Sequence, residues 1–162
     1  MDIRHLIDHY AAYDLWANSR IAERLSREEE ALLDVAVKSS FPSLRSTLMH
    51  IRNSECIWLD RLLEHAPRWP AEVHEGFDTF LHHIIAMRDH VRSLGEKELL
   101  GTVDYRDLRG NVHRQQRWQI LMHCFNHSSY HRGQLVTMMR QLDLTDIPAM
   151  DLVVFQRLQA AG

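Results

Sequence analysis

The residues of this sequence that could do chemistry are concentrated in the segment NHSSYHRGQ, Asn126 to Gln134. His127 and His131 are four residues apart there, and His123 lies four residues upstream of His127. Side chains at this spacing share one face of a helix, so two imidazoles can bind the same metal ion. His123 and His131 would be about 12 Å apart along a helix axis, which is too far for one ion. The spacing therefore allows an ion between His123 and His127, or between His127 and His131.

The histidine spacing is not specific by itself, because the chain has 12 histidines and His5 and His9 repeat it. That second pair lies toward the edge of the apolar face of the first predicted helix, where a metal role is not favoured. Several metal classes are excluded by the residues around the pair His127 and His131. Ser, Ser and Tyr stand between these two histidines, so the glutamate of a zinc-protease HExxH motif is missing. No Glu-x-x-His occurs, which excludes the carboxylate di-iron bundle pattern. What remains is a mononuclear, histidine-rich site with open positions, as expected of a catalytic metal.

Two residues of the second predicted helix, which runs from about Ser43 to Glu64, could complete such a site. His50 lies on one flank of the predicted apolar face, from which it could reach the groove between two helices. A half-exposed histidine bonded to a neighbour is the alternative. Glu55 falls in the middle of the same face, where an unpaired carboxylate is costly. It should contact an arginine, a histidine of the site or the metal itself, unless it leans toward solvent between loosely packed helix ends.

Long helices must position these residues, because glycine and proline number only 6 and 4 and lie mostly between periodic segments. Four are predicted, from about Asp2 to Leu25, Ser43 to Glu64, Glu75 to Glu98 and Arg117 to Leu142, with Ser43 as an N-cap and a short helix after Pro148. Val103, Tyr105 and Val112 flank an Arg-Gly-Asn turn, which predicts a small hairpin or extended loop. A chain of 162 residues fits one domain. The predicted fold is an all-α four-helix bundle with long crossover connections.

Helical periodicity also predicts which faces are buried. The inward face of the first helix is predicted to consist of Leu6, Tyr10, Tyr13, Ala17 and Ile21. On the second helix, the residues opposite the apolar face are Arg52, Asn53 and Asp60. The fourth helix places His127 and His131 within its apolar stripe, and it has a second apolar sector formed by Leu121, Phe125, Val136 and Met139. The simplest explanation for that sector is a second copy of the chain, which predicts a dimer.

The composition of the chain indicates which partners and which cellular location to expect. Lysine and arginine number 19 against 22 acidic residues, a net charge of −3, so no general attraction to nucleic acid or anionic membranes is expected. The first residues lack the apolar region of a signal peptide, and no apolar run approaches the roughly 18–20 residues of a membrane span. Cys56 and Cys124 are predicted to be buried thiols of a reducing compartment. The expected location is the cytoplasm, with no nucleic-acid or membrane partner.

Four segments of the sequence resemble the DinB/YfiT-like bundle proteins of bacteria, a family named for damage-inducible members. The most specific is ILMHCFNHSSYHRGQLVTMMRQL, Ile120 to Leu142, which resembles the family's "LxHxxNHxxHHRGQ". The other three are YDLWANSRIAERL, STLMHIRNSECIWLDRL and IPAMDLVVF, which begin at Tyr13, Ser46 and Ile147. Together they span nearly the whole chain in the family's order.

The resemblance implies a four-helix bundle, usually dimeric, in which three histidines hold one divalent ion. Carried over by motif position, the ligands are His50, His127 and His131, and His123 becomes a position that packs behind them. The expected ion is zinc or nickel, with iron and manganese as further options. This sequence departs from the family at Tyr130, where many members have another histidine, and a phenol therefore lies beside the expected site.

The resemblance further implies a metal-dependent enzyme that activates a thiol or water at the three-histidine site, either thiol S-transferase-like or hydrolase-like. Its expected partner is a small-molecule thiol or an electrophilic substrate. Glu55, Tyr130 and Gln134 are candidates for orienting ligands or substrate. Arg132 is a candidate for binding an anionic substrate group, with a surface or interface salt bridge as the favoured alternative. The alternative function is a non-catalytic, dimeric metal-binding protein of a stress response.

Overall fold

The computed structural model describes residues 2–161. Within that range the chain forms seven helices and one two-stranded hairpin, in the order α1 (Ile3–Leu25), α2 (Glu30–Leu33), α3 (Leu44–Leu62), α4 (Phe77–Ser93), α5 (Glu96–Leu100), β1 (Thr102–Arg106), β2 (Val112–Gln116), α6 (Arg117–Gln141) and α7 (Leu152–Ala160). The long helices α1, α3, α4 and α6 pack as a bundle, in which α1 and α3 each contact both α4 and α6. The predicted all-α four-helix bundle with long connections is confirmed.

Local capping chemistry explains where α3 begins. At α3, the Ser43 hydroxyl accepts a hydrogen bond from the Ser46 backbone N–H at 3.1 Å, and the Ser46 hydroxyl accepts one from the Ser43 N–H at 2.9 Å. This reciprocal pair satisfies backbone donors that the first helical turn leaves free. The predicted N-cap at Ser43 is confirmed.

The predicted third helix, from Glu75 to Glu98, is wrong at both ends. It begins at Phe77 and ends at Ser93, because Leu94 adopts extended backbone angles. Beyond this break, the Glu98 carboxylate accepts a hydrogen bond from the Gly95 N–H at 2.6 Å and caps the short helix α5. The break falls where glycine weakens a helix and a glutamate three residues later can start a new one. The four-residue helix α2 is too short to produce a periodic signal.

Two large apolar clusters, one toward each end, form most of the bundle core, and a small third cluster consists of Tyr13, Ala17 and Phe155. One large cluster includes Ile7, Met87, Leu121 and Phe125, and the other includes Ile21, Leu48, Phe80 and Met138. The inward face predicted for α1 is wrong at Leu6, which is exposed. The buried sector is instead centred on Ile7 and includes the polar residues Asp14 and Asn18. The prediction uses only the positions of apolar residues. It therefore misplaces the inward face, because buried polar residues also belong to that face.

Three of the four residues of the second apolar sector of α6 are buried within the chain, whereas Val136 is half-buried. Leu121 and Phe125 belong to the first core cluster and Met139 to the second. Contacts with α1 and α3 therefore cover two sides of α6 without a second copy of the chain. The dimer stays a prediction, but this sector is not an argument for it.

The polar face of α3 is buried as well, because the crossover segment, residues 63–76, covers it. Arg52 is 0% exposed, and its guanidinium donates hydrogen bonds to the backbone carbonyls of His74 and Glu72 and to the Thr79 hydroxyl at 2.5, 3.0 and 2.8 Å. The Asn53 side-chain oxygen accepts from the Ala71 N–H at 3.0 Å. Side chains that lie opposite the apolar face of α3 thus bind the connection to α4.

Asp60 holds the beginning of the same crossover segment. Its carboxylate is buried and accepts hydrogen bonds from the Arg68 backbone N–H and from the Arg68 guanidinium at 3.0 and 2.8 Å. These charge-assisted contacts lower the pKa of Asp60 against the opposing effect of burial. The crossover is therefore fixed along its length by three polar residues of one helix.

The predicted hairpin and the predicted free thiols are both present. Strands β1 and β2 pair antiparallel, with Val103 opposite Gln115 and Tyr105 opposite His113. Cys56 and Cys124 are buried and form no disulfide with each other. Between residues 2 and 161, no helix combines the length and the apolar character needed to cross a membrane.

Replacing Arg52 by Met should destabilise the protein by about 2–4 kcal/mol, because it leaves two carbonyls of the crossover without donors. Urea unfolding measures this loss. The control is Arg27→Met, which removes a guanidinium that is 63% exposed and that pairs, among residues 2–161, with Glu23 alone. This change should cost less than about 1 kcal/mol. Equal stability of the two variants would contradict the role given to Arg52.

Candidate metal centre

Three histidines from two helices meet at the groove between α3 and α6. His50 extends from α3, and His127 and His131 extend from successive turns of α6. The Nε2 atom of His127 lies 3.0 Å from Nε2 of His50 and 3.1 Å from Nε2 of His131. His131 is buried and the other two are half-buried. The structure thus brings together the three histidines that the resemblance implies as ligands.

The spacing of these nitrogens suits a bound cation better than it suits hydrogen bonding. A ring nitrogen carries either one N–H or one lone pair, so His127 Nε2 can hydrogen-bond to only one of its two close neighbours. Two nitrogens that bind one zinc ion at about 2.0–2.1 Å, at angles of about 90–110°, lie about 2.9–3.4 Å apart. Both measured separations fall in this range. The three-histidine group could therefore hold a metal ion.

Gln134 orients one member of the group. The Nδ1 atom of His131 lies 2.8 Å from the Gln134 side-chain oxygen, which can only accept, so Nδ1 carries the proton. The neutral ring then presents the lone pair of Nε2 to the other two histidines. The Gln134 amide nitrogen in turn donates to the Ser40 hydroxyl at 2.8 Å. Outer hydrogen bonds of this kind fix the tautomer and orientation of metal-binding histidines.

Aromatic residues from two connecting segments enclose the three-histidine group. The Phe41 ring stacks on His50 with centroids 4.2 Å apart and meets the edge of His131 at 5.5 Å. The Trp69 ring lies 5.9 Å from that of His50. Phe41 precedes the N-cap of α3 and Trp69 belongs to the crossover. Sequence reasoning missed both residues, because loop positions have no periodicity that would show where they fold back.

Burial favours the neutral form of two imidazoles of the group, those of His50 and His127. Desolvation, followed by the proximity of His131, lowers the pKa of His50 from 6.5 to about 4. Desolvation and the neighbouring histidines lower the pKa of His127 from 6.5 to about 3. Only a neutral imidazole has a lone pair free to bind a metal. Two of the three rings are thus in the metal-binding form well below neutral pH.

The remaining histidines considered from the sequence lie outside this group. His123, one turn upstream, packs its ring on Trp58 and lies 5.9 Å from the His127 ring, measured between centroids. His9 packs on Phe155, and His5 is exposed. Among the residues from 2 to 161, no further His, Cys, Asp or Glu joins the three histidines as a fourth ligand. The described residues therefore supply three ligands to this group.

Arg132 is placed differently from the prediction of a surface or interface salt bridge. It is 2% exposed, and its guanidinium pairs with Asp14 of α1 at 2.5 Å and donates to the Ser128 hydroxyl at 2.7 Å. Asn18 completes the network by donating to Asp14 and Ser128 at 2.9 and 3.0 Å. The surface prediction is wrong because α1 contributes buried polar partners that an apolar pattern does not show.

Glu55 is buried beside this interior network, close enough to feel the charges of Asp14 and Arg132, and it does not join the three histidines. It is 2% exposed, which excludes the alternative that it leans toward solvent, and its Oε2 atom has no hydrogen-bond partner among the described residues. Burial, followed by the charge of Asp14, raises the pKa of Glu55 well above its usual value, against the opposing effect of Arg132. The charge of Arg132 does not offset the burial of this second carboxyl group, so the neutral form of Glu55 is favoured relative to that of an exposed glutamate.

The other candidates lie close to the three histidines. Tyr130 is 63% exposed, and its ring meets the edge of His131 with centroids 5.1 Å apart. Gln134 bonds to His131 as described above. Tyr130 can therefore reach a molecule bound at the three-histidine group. Gln134 orients the imidazole ring of His131.

Comparison with known proteins gives the family. The sequence model of the DinB family matches residues 3–161 of this chain. The chain belongs to the DinB family. It is 26% identical over 149 residues to Protein DinB of Bacillus subtilis (strain 168), an alignment that covers 84% of this chain and 86% of that protein.

Solved structures of DinB-like proteins share the fold. One from Bacillus subtilis has a TM-score of 0.66 at 13% identity and covers 88% of this chain and 96% of that chain. One from Bacillus cereus has a TM-score of 0.61 at 18% identity and covers 82% and 90% of the two chains. At these identities the likeness is one of fold, and it confirms the DinB bundle.

The metal-free protein should lose stability as the pH falls from about 6.5 to about 4. The unfolded chain takes up protons on His50 and His127 below about pH 6.5, whereas the folded chain excludes them until their lowered pKa values of about 4 and about 3. Urea unfolding in EDTA at several pH values in this range gives the slope of the free energy of unfolding against pH. The slope should be smaller for His127→Asn and unchanged for the exposed control His74→Asn; equal slopes for all three proteins would contradict the lowered pKa values.

Replacing Gln134 by Leu should weaken zinc binding about 10- to 100-fold, because His131 loses the acceptor that fixes its tautomer. The matched variant Gln134→Glu keeps an acceptor and should retain most of the affinity. Competition with a chromophoric chelator measures both dissociation constants. Wild-type affinity in the Leu variant would show that Gln134 does not orient the ligand.

Proposed function

We propose that this DinB-family protein is a metal-dependent enzyme in which His50, His127 and His131 hold one divalent ion. The observation that carries the proposal is that Nε2 of His127 lies 3.0 Å from Nε2 of His50 and 3.1 Å from Nε2 of His131, in a group whose ligand atoms all lie within 4.8 Å of one another. Three protein ligands with further positions open are the arrangement typical of catalytic metals, whereas structural sites are closed by a fourth. The donor set of three imidazoles suits zinc or nickel, and also iron or manganese.

The reaction that we propose is attack by a thiol or a water on a small electrophile, as in a thiol S-transferase or a hydrolase. A divalent cation held by three neutral histidines supplies Lewis acidity, which makes a thiol or water more acidic and therefore more nucleophilic near neutral pH. The protein's own contribution is to keep the His50 and His127 rings deprotonated by burial and to orient His131 through Gln134. A neutral ligand set leaves the full positive charge of the ion to act on the substrate.

The walls of the centre favour a substrate with an apolar portion. The rings of Phe41 and Trp69 lie 4.2 and 5.9 Å from the His50 ring, measured between centroids, and offer apolar surface next to the centre. Tyr130 offers an exposed phenol at the edge of His131, from which it can donate a hydrogen bond to a polar group of the substrate. Arg132 and Glu55 are buried in the interior network, so we assign neither of them to substrate binding.

Metal content tests the ligand set. Protein purified without a His-tag should contain a stoichiometric divalent metal at this centre, and His127→Ala should lose it because two ligands from different helices cannot hold the ion tightly. His123→Ala is the matched control, since it removes a histidine from the same helix one turn away and should keep the metal. Full metal content in His127→Ala, measured by elemental analysis, would refute the assignment.

Activity tests the proposed chemistry. The metal-loaded protein should accelerate the consumption of a small thiol by an aryl halide, or the hydrolysis of an activated ester, and His50→Ala should abolish the acceleration. His123→Ala should stay within a few-fold of the wild type. If the loaded protein binds metal stoichiometrically but accelerates neither reaction, the protein is a metal-binding protein without this catalysis.

A further inference from the structure

A second cluster of metal-binding side chains lies between the crossover segment and α4. It consists of Glu72 from the crossover and of the adjacent residues His82 and His83 from α4, each of which offers one ligand atom within 4.8 Å of the others. Nε2 of His83 lies 3.1 Å from a Glu72 carboxylate oxygen, and the two histidine rings have centroids 5.3 Å apart. This cluster shares no residue with the three-histidine centre.

Two of the three side chains are already held at ligand spacing. The backbone at Glu72 is fixed by two buried side chains of α3: Arg52 donates to the Glu72 carbonyl at 3.0 Å, and Asn53 accepts from the Ala71 N–H at 3.0 Å. His83 is 5% exposed, so its ring has little freedom to move. The separation of 3.1 Å between their ligand atoms lies within the range of about 2.9–3.4 Å expected for two ligands of one zinc ion.

The third side chain can complete the cluster by a small movement. His82 is exposed, and neighbouring residues on a helix differ by about 100° in direction. Rotation of an exposed side chain costs little, so the His82 nitrogen can close the remaining distance. The positive charge of Arg68, on the same crossover segment, is balanced by its contact with Asp60 at 2.8 Å. No uncompensated charge of that arginine therefore opposes a cation here.

We propose that Glu72, His82 and His83 form a second divalent-cation site, of the class that binds zinc. Two imidazoles and one carboxylate are a ligand set typical of zinc and unlike the all-oxygen sets that magnesium and calcium prefer. The ion joins the crossover segment to α4. Trp69 lies on that segment three residues before Glu72 and contacts His50, so the second ion also steadies one wall of the three-histidine centre.

Zinc stoichiometry tests this site independently of the proposed function. The proteins are the tag-free wild type, His82→Gln, His127→Ala, the double variant, and the control His74→Gln, which removes an exposed histidine of the crossover outside both groups. Each is dialysed to equilibrium against buffered zinc and analysed for bound metal. We expect two zinc ions per chain in the wild type and in His74→Gln, one in each of His82→Gln and His127→Ala, and none in the double variant.

Thermal unfolding gives a second measurement. Zinc should raise the Tm of His127→Ala through the second site alone, and the increase should disappear when His82→Gln is added. Equal zinc content in His82→Gln and the wild type would overturn the second site and show that Glu72 and His83 form only a hydrogen bond. A wild type with a single zinc that His82→Gln removes would support the second site and refute the three-histidine centre.

Discussion

The buried ion pair between Arg132 of α6 and Asp14 of α1 is the contact on which the rest of the candidate centre depends. Arg132 and Ser128 face α1, and each directly follows one of the two α6 histidines. Because successive residues of a helix differ by about 100° in direction, pinning Ser128 and Arg132 against α1 turns His127 and His131 toward α3. Removing one partner of a buried pair costs about 3–5 kcal/mol, so this rotation is strongly fixed.

The other side of the centre depends on the polar face of α3. Arg52, Asn53 and Asp60 hold the crossover segment against that face. The same segment then supplies Trp69 to the three-histidine centre and Glu72 to the second cluster. The crossover segment therefore contributes one residue to each cluster, and polar residues of α3 that would ordinarily be solvated act as its anchors.

Much of the fold follows from the sequence, because helical periodicity and capping are local properties. The four long helices, the Ser43 cap and the hairpin were predictable in this way, as was the inward direction of His127 and His131. Spacing alone left two possible histidine pairs on α6, and only the family resemblance favoured His127 with His131 and added His50. Buried polar contacts such as Arg132 with Asp14, and loop residues such as Phe41 and Trp69, leave no periodic signal and became visible only in three dimensions.

The coordination of a bound ion tests the central claim most directly. X-ray absorption at the zinc edge, recorded on His82→Gln protein loaded with one zinc per chain, isolates the three-histidine centre. The account predicts three imidazole nitrogens at about 2.0–2.1 Å together with one or two oxygens from water. A closed shell of four protein ligands, or a sulfur ligand at about 2.3 Å, would contradict it.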